Sequence, residues 1–91
     1  MAESNLIRTL AFIMKKYQLY GEIEIMTGRW YMYYNVRDGT RTMTKMIEHP
    51  KSINVWFLQS CQSDQVFEET KAQMAQIIRN ALPSFTVMFK Q

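Results

Sequence analysis

The strongest constraint on this chain is the run of residues 21–47, where side chains alternate and two turn signals fall close enough together for their registers to check each other. Glu22, Ile23, Glu24 and Ile25 follow the period-two pattern of a half-buried strand. Thr27-Gly28 reads as a tight turn, and an aromatic-rich stretch follows from Arg29 to Arg37. Asp38-Gly39 is a strong hairpin signal, because both central residues of a type I′ turn need positive φ. Thr40 to Ile47 reads as the return strand.

With Asp38 and Gly39 as the loop, Val36 opposes Arg41, Tyr34 opposes Met43, Met32 opposes Lys45 and Trp30 opposes Ile47. With Thr27 and Gly28 as the earlier loop, Ile25 opposes Trp30 and Ile23 opposes Met32, while Glu24 faces Tyr31 and Glu22 faces Tyr33. Opposed side chains share a face of the sheet. Both hairpins therefore predict Trp30 and Met32 toward the core. The other face is predicted to carry Glu22, Glu24, Tyr31, Tyr33, Asn35, Arg37, Thr40, Thr42 and Thr44. Arg41 and Lys45 fall on the core side, which requires either that they reach past the sheet edge or that their strand bulges.

Helical spacing frames this stretch. Leu6, Leu10, Ile13, Met14 and Tyr17 predict an amphipathic helix over 4–18, capped by Ser4 or Asn5 and ended by Gly21. His49-Pro50 interrupts the alternation, which resumes over 51–60 with Ile53, Val55 and Phe57, a strand expected to be covered on both faces. Residues 61–63 read as a loop. Ser63 or Asp64 caps a second helix to about Leu82, with Phe67, Thr70, Met74, Ile77, Ile78 and Ala81 on one stripe, and Pro83 stops it. Phe85, Val87 and Phe89 alternate in a final strand or apolar tail. The fold class is α+β, order α-β-β-β-β-α-β: an antiparallel four- to five-stranded meander with both helices on one face.

Ninety-one residues make one domain, 1–91, with one core. The chain is 47% hydrophobic and 21% charged, which predicts folding rather than disorder. Cys61 is the only cysteine, so no internal disulfide can form. The apolar stretches are too short for a membrane span, and Glu3, Arg8 and Lys15 break any leader pattern. The expected compartment is the cytoplasm, or the nucleus of a eukaryote, or the host cytoplasm if a virus or phage encodes the chain.

Chemistry is sparse. Cys61 and His49 stand at opposite ends of one predicted strand and lack a third orienting group, so they do not make a nucleophilic pair. Zinc ligands do not cluster, and neither G-x-G-x-x-G nor a Walker A motif occurs. Glu22 and Glu24 project from one strand face about 7 Å apart, a spacing usable for acid–base work but better read as a solvated face whose charges discourage edge pairing. No enzyme, cofactor or metal is expected.

The richest constellation is Tyr31 and Tyr33 with Asn35, Arg37 and Arg29, extended by Arg41 and Lys45. Exposed aromatics beside arginines stack bases and hold phosphate. They equally suit a protein interface, where Tyr, Trp, Arg and Met are enriched, and this chain has five Tyr, two Trp and eight Met. Glu22 and Glu24 beside both tyrosines oppose phosphate. The sequence therefore predicts a non-enzymatic protein-interaction module that uses the aromatic sheet face or a free strand edge. It would be an adaptor, or an inhibitor of another protein such as phages and viruses encode, and the expected partners are another protein and a second copy of itself. RNA or DNA binding through the same Arg/Tyr face is the alternative. The element order resembles several small αββββα or αβββα folds, among them the RNA-binding subunits of the signal recognition particle Alu domain and kinase-associated lipid-binding domains. That likeness is one of topology and transfers no site.

Overall fold

The structure, a computed structural model, describes residues 2–58 and 63–91. Its elements are α1 (Ala2–Lys16), β1 (Gly21–Met26), β2 (Trp30–Asn35), β3 (Arg41–Lys45), β4 (Ser52–Phe57), α2 (Asp64–Ala81) and β5 (Thr86–Lys90). The order is the expected α-β-β-β-β-α-β. Cys61 and the predicted end of the fourth strand at Ser60 lie outside the described residues.

Strands β1 to β3 form the expected meander, and the sheet order is β3-β2-β1-β4-β5. Segment 46–51 therefore carries the chain across the end of the sheet. The Met46 N–H donates to the Arg29 carbonyl at 2.6 Å and the His49 N–H to the Gly28 carbonyl at 2.8 Å, which pins the crossing. The sheet is not wholly antiparallel, because β5 runs parallel to β4. The cause is α2: its 18 residues carry the chain back along the sheet, so the next strand starts from the same end as β4.

Both turns differ in detail from the sequence reading. The first hairpin closes at Thr27, whose N–H donates to the Trp30 carbonyl at 2.9 Å, leaving Gly28 (φ 105°) and Arg29 as its loop. The second loop is not Asp38-Gly39 alone but Val36 to Gly39, closed by Asn35 N–H to Thr40 carbonyl at 2.9 Å. Asn35 Oδ1 accepts from the Arg37 and Asp38 N–H groups at 3.0 and 3.2 Å, an Asx turn that widens the loop. Val36 is fully buried and donates its N–H to the Gly21 carbonyl, so it is lost to the second ladder. Each register moves by two residues: Ile25 opposes Met32, Glu24 opposes Tyr33, and Met32 opposes Met43. A shift of two preserves every face.

The core lies between the helices and one side of the sheet. Ile23, Ile25, Ile53 and Val55 from β1 and β4 meet Leu10, Met14, Met74 and Ile78, all at 0% exposure. Each such burial contributes about 1.5–3 kcal/mol. Phe57 meets Phe67 edge-on at 5.2 Å and stacks on Phe89 at 6.1 Å, tying α2 and β5 to the end of β4. Helix α1 begins before Ser4 and Asn5, which therefore do not cap it. Gln18 ends it at φ 58°, and the Leu19 N–H returns to the Met14 carbonyl at 2.8 Å, a closure usually made by glycine. Helix α2 is capped by Ser63 as expected, and its buried stripe takes Ala75 while Ala81 is exposed.

Two helices side by side span about 20 Å, and five strands about 24 Å. One strand must stay uncovered, and it is β3, every residue of which is exposed. This accounts for Arg41 and Lys45 on the helix side without a bulge. It also corrects Trp30: the ring lies on the helix side but beyond the cover, opposite Lys45 instead of Ile25, and is 43% exposed. Ile47, expected to oppose it, lies past the strand at 96% exposure.

Gly21 is where the sheet is tightest, because a Cβ there would overlap the Trp56 carbonyl oxygen. Gly21→Ala is expected to destabilise the fold by about 2 kcal/mol or more, read as a lower midpoint in urea denaturation.

Candidate functional site

The face of the sheet away from the helices is uncovered. Its cross-strand rows follow from the registers: Thr42–Tyr33–Glu24–Asn54–Met88, flanked by Thr44–Tyr31–Met26–Ser52–Thr86 on one side and Asn35–Glu22–Trp56–Lys90 on the other. The β-propensity of aromatic residues places Tyr31, Tyr33 and Trp56 on these strands, and strand parity sends them outward together.

A hydrogen-bond network holds the rings. The Tyr31 hydroxyl donates to Glu24 Oε2 at 2.6 Å, and the Trp56 indole N–H donates to Glu24 Oε1 at 2.6 Å. The Tyr33 hydroxyl donates to Glu22 Oε1 at 2.9 Å. Both tyrosine bonds run diagonally across β1 and β2, since Glu24 directly opposes Tyr33 and Glu22 opposes Asn35. Lys90 Nζ lies 4.7 Å from the Trp56 ring centre, a cation–π contact. Carboxylate acceptors make these bonds stronger than neutral ones. The rings are therefore pinned across the face, and Met26 and Asn54 are each only 9% exposed on a side that no helix covers. Asn54 Oδ1 is buried and meets no hydrogen-bond donor among the described residues.

Burial, then the hydrogen bond and charge of Glu24, push the Tyr31 phenol far above its ordinary value near 10. The bond to Glu22 raises Tyr33. Asp38 is held below the usual carboxylate range by the backbone N–H and then the hydroxyl of Thr40.

The seven residues singled out in the sequence divide between different surfaces. Tyr31 and Tyr33 stand on the open face as expected. Asn35 begins that face, but its side-chain oxygen is spent on the 36–39 loop. Arg37 lies in that loop with its guanidinium 4.5 Å from the Tyr20 ring centre. Arg29 is in the first turn. Arg41 and Lys45 are on the opposite side of the sheet from the tyrosines, opposed to Tyr34 and Trp30. No arginine thus joins the tyrosine rows, and the charges beside them are Glu22, Glu24 and Lys90. Sequence reading missed Trp56, Met88 and Lys90. The alternation of 85–89 already carried the parity of Met88, but the neighbours of β5 depended on the crossover. His49 is turned to its own neighbour, with Nδ1 2.8 Å from the Pro50 carbonyl. Among the described residues no group of three His, Cys, Asp or Glu side chains could hold a metal ion, and no helix is long and apolar enough to cross a membrane.

Comparison with protein-family models, curated proteins and solved structures finds no match to the chain.

The network has a consequence for alkaline stability. Tyr31 and Tyr33 keep their protons above pH 10 when folded, whereas in the unfolded chain they ionise near 10. Above that pH the unfolded state binds fewer protons, so stability falls as pH rises. The denaturation midpoint is expected to hold up to about pH 9.5 and to decline above pH 10, and Tyr31→Phe is expected to flatten the decline.

Proposed function

We propose that this chain is a protein-interaction module that works without catalysis, engaging a partner protein through the uncovered face of its sheet. One observation carries the reading: Tyr31, Tyr33 and Trp56 lie on a single open face with their polar tips already bonded to Glu22 and Glu24. Rings fixed before binding lose little freedom on binding, which leaves more of their contact energy for affinity. Tyr, Trp and Met, the residues that carry this face, are those enriched at protein interfaces.

The charge of the face selects the partner. Glu22 and Glu24 favour a surface that brings arginine or lysine, and they oppose phosphate at the place where bases would stack. A second copy is the weaker fit, since two-fold packing of the face would gather four carboxylates against two lysines. The role that follows is that of an adaptor or an inhibitor of another protein, acting in the cytoplasm.

A benzophenone side chain placed at Met88 is expected to crosslink one protein species in cells that make the chain naturally. The same group at Gln73, on the exposed side of α2, is expected to crosslink none. Equal crosslinking from both positions, or salt-sensitive retention of RNA or DNA in place of a protein, overturns the reading. Asn54→Val removes a buried acceptor without a donor and is expected to raise stability by about 1 kcal/mol, measured by urea denaturation.

A further inference from the structure

The outer side of β3 is an unpaired sheet edge with an order of its own. Asn35 and Thr40 form a hydrogen-bonded pair at one end of the β2–β3 ladder, and Met46 donates to the Arg29 carbonyl at the other. The alternation of an antiparallel ladder then turns the N–H and C=O groups of Thr42 and Thr44 toward β2, and those of Arg41, Met43 and Lys45 outward. These three alternate residues offer their backbone groups to a further strand. Their side chains all stand on the helix side, as cation, thioether and cation, and all are exposed. Among the described residues neither cation holds an ion pair.

Beside Met43 lies a cleft of about 220 Å³ between the N-terminal part of α1 and the sheet. Ile7, Met32 and Met43 give it apolar walls, and Ser4 and Arg41 add polar groups. The cleft is a product of the missing helix cover, and it opens where a residue paired with Met43 would project.

We propose that β3 accepts an extended segment of a partner protein as a sixth strand, one that presents acid, large apolar residue and acid at alternate positions. The acids face Lys45 and Arg41, the apolar side chain enters the cleft, and the two residues between them face Thr44 and Thr42 on the open side. Main-chain hydrogen bonds supply affinity, and the alternate side chains supply specificity. A second copy of β3 is not the occupant, because pairing centred on Met43 sets arginine against lysine at both ends. Nucleic acid would meet the cations but leave the backbone row and the apolar cleft unused. This edge is distinct from the open-face site and stands or falls apart from it.

The test is a titration of the whole chain, followed by amide NMR, with the capped peptide Gly-Ser-Glu-Thr-Phe-Thr-Asp-Ser-Gly. Amide signals of Arg41, Met43 and Lys45 are expected to shift saturably, with their exchange slowed on the order of tenfold. A peptide with both acids replaced by lysine, and one N-methylated at phenylalanine, are each expected to bind on the order of tenfold more weakly. The exposed pair Arg41→Glu and Lys45→Glu leaves the core untouched and is expected to prefer the lysine peptide. The proposal is overturned by equal binding of acidic and lysine peptides, by indifference to N-methylation, by shifts confined to Tyr31, Tyr33 and Trp56, or by no saturable shift at millimolar peptide.

Discussion

Covering a five-stranded sheet with two helices laid on one side is the constraint from which the surface of this molecule follows. The pairing of β1 with β4 at the centre lets Ile23, Ile25, Ile53 and Val55 meet both helices with no exposed area. Cover then runs out laterally. The four inner and far strands share the helices, β3 stands clear, and among the described residues no helix or strand lies on the second side of the sheet. Among the described residues no further element lies on that side, and side chains close it instead.

On the open side they do so by lying across one another. Tyr31, Tyr33 and Trp56 each send a polar tip to a carboxylate on β1, which satisfies the donors without a partner and screens the backbone beneath. The arrangement fixes the sign of the face as well. The carboxylates of Glu22 and Glu24 stand among the rings, and the arginines that would have made the face attractive to phosphate are elsewhere. Arg37 is drawn to the Tyr20 ring and Arg41 to the other side of the sheet by strand parity. The same aromatic residues that suggested base stacking in the sequence thus sit in a setting that suits a cationic protein surface.

Much of this was legible in the residues, and what was not has identifiable causes. Alternation gave the faces of β1, β2 and β3, and these survived because both register errors were of two residues. The errors came from chemistry that a dipeptide signal does not contain: Asn35 bonding its own following N–H groups, and Val36 captured by the core. The mixed sheet was implicit in a long helix between the last two strands, but the position of β4 beside β1 needed the crossover. Trp30 was assigned the correct side and the wrong environment, since periodicity reports direction and says nothing of where the helix cover ends. For the same reason Trp56, Met88 and Lys90 could not be grouped with the tyrosines until the strand order was known.

The open face and the β3 edge differ in charge but share a border. Thr42 opposes Tyr33 and Thr44 opposes Tyr31, so a strand added outside β3 would place its two intermediate side chains in the same rows as the tyrosines. Its acids would be spent on the other side, against Arg41 and Lys45. Strand β3 is bonded to β2 alone, so the edge and the open face meet along one ladder. The two surfaces are therefore neighbours across a single ladder, and strand parity alone keeps the cations of one apart from the carboxylates of the other.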